Sequence, residues 1–501
     1  MTGATADPVE TTYELIGLGR LDDALRTIEA LAQRPQATHG ELAAYALALK
    51  GLSRMDDALV VYERAAKAFP ASAVAEHNVA ALQGDLRRFP EAEAAARRAF
   101  AKGISAPETW AVLARALQGQ GRHEEAEAAC VEALRLRPNM ADVHRDLAQL
   151  IWIRTEDVEA ASANLKAVAK AFPDQSDLAI QLARVQQFGG QDEAAYATLL
   201  RAIGRSASPD ADLQASASIL AGKLGESVAA LRQAEGALAL APDNSRVMLL
   251  TCDAQLGLGR AGPAARLVEA LLDREPDEQQ ALSRLATAWR IMGDPRYRQL
   301  FDYDALVRGW TIDTPEGWTD LPSYLTDLAA ALRAENTGRG HPFDQSLRNG
   351  SQSDADLTAS EHPAVKAFFQ AIDGPIHRHM AAIGAGEDPL RRRNTGKFAL
   401  RGIWSVRLRP KGYHVDHVHP MGWLSSACHI EIPAAVDSGG QEGWLKFGEP
   451  GVPTMPHLPA EHFVKPEPGR LVLFPSYMWH GTVPFSGDQE RLTVAFDVVP
   501  A

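Results

Sequence analysis

Cysteine is scarce: Cys130, Cys252 and Cys428 are the only three in 501 residues. No two of them form a CxxC pair, which excludes a disulfide framework and a cysteine-type zinc site. Long apolar runs are missing as well. No stretch approaches 18 uninterrupted apolar residues, so no transmembrane helix is expected. The opening residues Met1-Thr-Gly-Ala-Thr-Ala-Asp-Pro8 hold neither a basic nor an apolar stretch. No signal peptide is read there, and a cytoplasmic location is expected. Positive charge is also short, with 51 Lys and Arg against 64 Asp and Glu, a net charge of −13. That balance argues against nucleic-acid and membrane-surface partners, whose phosphates it repels. The length is too great for a single hydrophobic core.

What the chain does have is a beat. Gly19-Arg20-Leu21-Asp22-Asp23-Ala24 returns as Ser53-Arg54-Met55-Asp56-Asp57-Ala58, Arg87-Arg88-Phe89-Pro90-Glu91-Ala92 and Gly121-Arg122-His123-Glu124-Glu125-Ala126. Looser copies place the alanine at Ala160, Ala194, Ala229 and Ala264, so the steps are 34, 34, 34, 34, 34, 35 and 35. Pro70, Pro138, Pro173, Pro242 and Pro276 follow the same period at the ends of second helices. Such a period resembles the tetratricopeptide repeat, two antiparallel helices per unit, with about eight units in residues 1–285. One unit cannot bury its apolar face alone, so the units must stack, and an all-α superhelix with a concave surface is expected. The functional expectation for that surface is docking of a protein or peptide; the plain alternative is a scaffold without a ligand. His39, His77, His123 and His144 are read as ordinary histidines.

The beat stops within residues 286–310, read as a connecting segment. Of 15 histidines 11 lie beyond residue 285, as do seven of nine tryptophans. In residues 311–501, Trp318–Glu335 and Ala364–Ile383 read as helices, and Gly338–Ser360 as a long polar loop. Within that loop Asp344-Gln345-Ser346-Leu347-Arg348 is a candidate lid. From about residue 397 the pattern turns strand-like: Phe398–Leu408, a Pro410-Lys-Gly412 turn, then Tyr413–His419, Leu424–Ile432, Gly443–Phe447, Arg470–Phe474 and Leu492–Val498. Short strands between Pro/Gly turns predict an antiparallel barrel or jelly roll, with the preceding helices against one face.

The chemistry lies in two stretches, Gly412-Tyr413-His414-Val415-Asp416-His417-Val418-His419-Pro420 and Pro468-Gly-Arg-Leu-Val-Leu-Phe474-Pro-Ser476 with Trp479-His480 and Arg491. Residues i and i+2 of a strand point the same way, so a pair spaced by one makes a two-pronged metal clamp. Imidazoles and carboxylates at three facial corners suit non-haem Fe(II). A guanidinium at Arg491 offers a bidentate fork for a dicarboxylate. Strand parity sets His414 and Asp416 on one face and His417 and His419 on the other, and leaves both pairs open.

In this order the residues resemble the 2-oxoglutarate/Fe(II)-dependent oxygenases, prolyl-hydroxylase-like and fused to tetratricopeptide repeats, over residues 300–501. The resemblance implies an α+β double-stranded β-helix, the jelly roll, with Fe(II) as metal and 2-oxoglutarate and O2 as co-substrates. It implies His480 as the distal iron ligand and Arg491 as the anchor of the far carboxylate. Its His-x-Asp motif is met literally by His414-Val-Asp416, while its spacing from a turn glycine, Gly412, favours His417 with His419. Three imidazoles carry one negative charge fewer than the family's usual set. The implied activity is hydroxylation of a peptidyl or small-molecule substrate. A three-histidine dioxygenase working without 2-oxoglutarate, and a catalytically silent repeat adaptor, are the rival readings. His429 is read as core, His457 and His462 as solvent-facing and Cys428 as a buried small hydrophobe. Trp404, Trp423, Trp444 and Trp479 are read as barrel packing, with Trp423 or Trp479 a possible wall of the substrate site.

Overall fold

A computed structural model describes residues 7–336, 340, 343, 345–353 and 356–501. Its backbone contacts divide the chain into two units, Met1–Leu150 and Ile151–Ala501.

In the first unit the helices run as antiparallel hairpins from Pro8–Gly17 and Leu21–Ala32 to Pro107–Gln118 and His123–Leu136. Local chemistry sets their ends. Thr38 and Glu41 form a reciprocal capping box at the start of His39–Gly51, and Ala24, Ala58, Ala92 and Ala126 are fully buried where paired helices meet. Four further hairpins follow, up to Ala261–Arg274. In both units the link inside each hairpin passes through one left-handed residue: Gly19, Ser53, Arg87, Gly121, Glu156, Gly190, Gly225 and Gly259. Five residues after each stands the buried alanine of the second helix. That places the small residue of the later repeats at Ala161, Ala195 and Ala230, together with Ala264. Ala160, Ala194 and Ala229 are therefore one residue out of phase. The chain gains a residue between Gly121 and Glu156, and adjacent alanines hide that shift in the sequence.

The second unit carries the strands: β1 (Arg308–Thr311), β2 (Leu347–Gln352), β3 (Phe398–His414), β4 (Leu424–Glu431), β5 (Leu445–Phe447), β6 (His462–Val464), β7 (Arg470–Pro475), β8 (His480–Thr482) and β9 (Arg491–Pro500). All pair antiparallel, in a six-stranded sheet ordered β1-β7-β4-β9-β3-β2 and a three-stranded sheet ordered β6-β5-β8. This is the expected jelly-roll arrangement. Helices Leu321–Glu335 and Pro363–Ile383 back the larger sheet, with Phe368 edge-on to Phe496 at 6.2 Å. The helices from Ser245 to Met292 share one hydrophobic core with these strands. Within it the Trp479 indole donates to Thr287 Oγ1 at 3.0 Å, and Arg290 Nη1 donates to Gly448 O at 2.7 Å. Among the described residues no helix is long and apolar enough to cross a membrane.

Two strand expectations need correction. The stretch read as a loop, Gly338–Ser360, contains β2, which pairs along β3. Its Leu-Arg-Asn-Gly-Ser-Gln sequence has almost no strand propensity, so pairing alone makes it a strand. Leu347 and Arg348 of the candidate lid are fixed in that pairing; Asp344 lies outside the described residues. Neither the Pro410–Gly412 turn nor a strand Tyr413–His419 forms. β3 instead runs on to His414 through a bulge, with Lys411 at φ 66°.

Candidate metal and dicarboxylate site

Past His414 the chain leaves the sheet but stays pinned. His417 N–H donates to His480 O at 2.9 Å, His480 N–H returns to His417 O at 3.1 Å, and His419 N–H donates to Ser476 O at 3.0 Å. The short stretch 417–419 thus lies antiparallel to 476–480 without being a full strand. His480 begins β8, opposite Phe447 of β5. The next residue has to be small, because a Cβ on Gly481 would stand 2.9 Å from His414 O and 2.8 Å from Asp416 Oδ1.

This pinning gathers three imidazoles. Ligand nitrogens of His417, His419 and His480 all lie within 4.8 Å of one another, and the rings of His417 and His480 are 4.2 Å apart. Each ring is held from behind. His417 Nδ1 bonds Val415 O at 2.8 Å, His480 Nδ1 bonds Met478 O at 2.9 Å, and His419 Nδ1 bonds Asp497 Oδ1 at 2.6 Å. Carbonyls and carboxylates only accept, so each ring carries a proton on Nδ1 and turns its Nε2 towards the other two rings. His417 Nε2 and His419 Nε2 face each other at 3.1 Å. A shared cation, whether a proton or a metal ion, holds two such nitrogens together at that distance. Burial, with His419 beside it, drives His417 down to about 3, and burial with both neighbouring imidazoles drives His480 well below the usual histidine range. Neutral, outwardly held and convergent imidazoles are what a divalent metal requires. The residues fit the group.

The other proposed pair goes elsewhere. Asp416 Oδ2 accepts from Lys446 Nζ at 2.8 Å, and that ammonium also binds Glu449 at 2.6 Å. His414 Nδ1 bonds Ser346 Oγ at 2.9 Å, with its ring 6.1 Å from that of His417. Among the described residues neither joins a three-donor cluster.

Arg491 opens β9 and is buried, 2% exposed. It donates to Gly443 O at 2.8 Å, Thr493 Oγ1 at 3.3 Å and His429 Nδ1 at 3.2 Å. Among the described residues it has no carboxylate partner, and burial lowers its guanidinium to about 10. A buried cation without a counter-ion is costly. Arg491 lines the same cavity as the three histidines, about 510 Å³ in volume, so an anion bound there would complete its pairing. His429, expected to be core, is buried and orients Arg491. Only their cross-strand proximity reveals that link.

The remaining expectations divide. Trp404 lines the cavity and stacks on His419. Trp423 and Trp479 do not wall it: the Trp423 indole bonds Leu390 O at 2.9 Å, and Trp479 turns to Thr287. His462 is not free in solvent but stacks on Tyr303 at 5.2 Å, because it opens β6. His457 is exposed and Cys428 buried. One wall had no signal in the sequence: Gln187 and Phe188, from the repeat helix Ser176–Phe188, and Lys223, from the repeat helix Ala211–Lys223, line the cavity. They mark only a helix end until the barrel is placed beside them.

Residues 402–497 match the family described as "Putative 2OG-Fe(II) oxygenase", and residues 107–140 match the tetratricopeptide repeat family. No curated protein matches the chain. Among solved structures, a tetratricopeptide repeat protein from Parabacteroides merdae is similar at 15% identity, TM-score 0.37, over 49% of this chain and 96% of that one. MamA from Desulfovibrio magneticus is similar at 19% identity, TM-score 0.30, over 34% of this chain and 99% of that one.

Proposed function

We propose that this protein is an Fe(II)- and 2-oxoglutarate-dependent oxygenase that hydroxylates a peptidyl or small-molecule substrate. Residues 311–501 would be the oxygenase domain and residues 1–285 the repeat array that helps to dock a protein or peptide. The observation that carries the reading is the shared cavity of three convergent imidazoles and one buried guanidinium that has no carboxylate partner among the described residues.

His417, His419 and His480 would hold the metal through Nε2, each ring kept in its tautomer by the acceptor behind it. Bound Fe(II) would supply the activation of O2, coupling conversion of 2-oxoglutarate to succinate and CO2 with oxygen insertion into a substrate C–H bond. Arg491 would grip the far carboxylate of the co-substrate, with Thr493 and His429 fixing the guanidinium plane. Trp404, Val406, Leu445 and Phe474 line the cavity with apolar surface, limiting water near the reacting centre. Asp497 would place a negative charge behind His419, offsetting in part the carboxylate that a three-imidazole set lacks.

The all-histidine set also suits a dioxygenase that works without 2-oxoglutarate, but the unpaired charge of Arg491 favours a diacid. Anaerobic titration of the protein with Fe(II) and 2-oxoglutarate tests this. The expected result is a metal-to-ligand charge-transfer band and, in air, succinate formation that Arg491→Ala abolishes. Metal binding without either signal would leave the three-histidine alternative, and no metal binding would leave the silent adaptor.

A further inference from the structure

The cavity has an outer wall that the proposed chemistry does not use. Among the described residues the cavity's charged lining is Lys223, Arg348, Arg491 and Arg184, the last with a partner of its own, against the carboxylate of Asp497, which is bonded to His419. This imbalance is local, since the whole chain carries −13. Arg348 on β2 holds its Nη1 against Gln345 O and Leu347 O, both at 2.8 Å, and sits over the Phe188 ring at 5.8 Å. Among the described residues no carboxylate pairs with it, and burial pushes its guanidinium down. Lys223, half-exposed, is ion-paired with the largely buried Asp192 at 2.8 Å and keeps further N–H donors free to turn into the cavity. A second cavity of about 360 Å³ shares Gln187, Phe188, Lys223 and Arg348 with the first and reaches Gly189 and Gly190 in the repeat loop. Its one acid, Glu156, is paired with Arg409 at 2.6 Å.

Two adjoining cavities form a cleft longer than one small acid needs, with Arg348 and Lys223 where they join and an aromatic ring as its floor. We propose that this cleft takes an acidic polypeptide segment, a carboxylate side chain of which is held by Arg348 and Lys223 above Phe188. The repeat helices thereby select the substrate directly, through the ends of Ser176–Phe188 and Ala211–Lys223, in addition to any docking at a distance. The inference deepens the oxygenase reading and rests on it for the word substrate, but the binding itself needs no metal.

The test uses the full metal-free chain and a fluorescein-labelled peptide alternating glutamate and alanine, read by anisotropy beside its glutamine counterpart. The glutamate peptide is expected to bind about tenfold more tightly or better, the scale of a charged hydrogen bond. Lys223→Gln and Arg348→Gln should each remove much of that preference, with unchanged melting temperatures. Equal binding of the two peptides, or a preference that survives both substitutions, overturns the proposal. So does displacement by the single amino acid N-acetylglutamate amide at the peptide's own affinity, which would make the cleft a small-acid site. Acid selectivity lost while succinate formation persists removes only this inference. Acid selectivity kept without 2-oxoglutarate turnover removes only the oxygenase reading.

Discussion

His419 donates Nδ1–H to Asp497 Oδ1 over 2.6 Å, and the same carboxylate oxygen accepts Ser425 Oγ–H at 2.8 Å. A ring on one segment is thus aimed by a charge on β9, while its free nitrogen faces His417. Asp497→Asn keeps an acceptor but removes the charge. Metal affinity should fall by roughly 10–100-fold, the usual effect of losing such an outer partner. A chelator-competition titration with Fe(II) measures it, and an unchanged affinity would show that Asp497 has no hold on the site.

Ligand identity separates the two histidine pairs. His417→Ala, His419→Ala and His480→Ala should each eliminate the charge-transfer band. His414→Ala and Asp416→Asn should keep it, because Asp416 is spent on Lys446 and His414 on Ser346. Loss of the band in Asp416→Asn alone would reverse the assignment.

Arg491→Met should leave Fe(II) affinity intact while weakening 2-oxoglutarate. Two charged hydrogen bonds at about 1.5–3 kcal/mol each correspond to roughly 100-fold or more in the co-substrate KM. Steady-state succinate assays beside the metal titration separate these effects; a parallel loss of metal would point to collapse of the site instead.

Thr287→Val should destabilise the second unit by about 1–3 kcal/mol, because the buried Trp479 N–H loses its acceptor. Urea unfolding followed by tryptophan fluorescence reads this directly. Trp479→Phe in the Thr287→Val background should recover part of the loss, since both polar partners are then gone.

Stability should also fall in acid. His379 is fully buried, takes the Trp310 indole N–H on Nδ1 at 3.2 Å, and burial pushes it down to about 3. The folded state therefore holds it neutral. Unfolded, it binds a proton near pH 6.5, so its contribution is present above that pH and is lost as pH falls from 6.5 towards 3. The slope is at most about 1.4 kcal/mol per pH unit. Urea midpoints at several pH values should show a shallower acid slope in His379→Phe than in the parent chain.

The repeat was legible because its signals are local. A left-handed residue and a buried alanine five positions on are written into every unit, and only the one-residue slip after Gly121 was concealed among neighbouring alanines. The short, mostly buried runs of β4, β7 and β9, bounded by turn residues, were legible for the same reason. β2 was not, because Arg348, Gly350 and Ser351 adopt strand geometry only through pairing with β3, around a left-handed Asn349.

At the site, sequence order named five candidate ligands and one anchor, since residue type and spacing restrict which groups can chelate. Strand parity could not choose between the pairs; only the family resemblance, through the spacing from Gly412, favoured His417 with His419. Parity presumes a regular strand, and here the chain leaves the sheet after His414 and is held by hydrogen bonds to residues some sixty positions away. The link from His429 to Arg491, and the wall formed by Phe188 and Lys223, belong to the same class. Local pattern determined which helices, strands and chemical groups this chain possesses. Tertiary packing decided which of those groups meet, because side chains far apart in sequence converge only when the sheets and the last repeat helices close around one core.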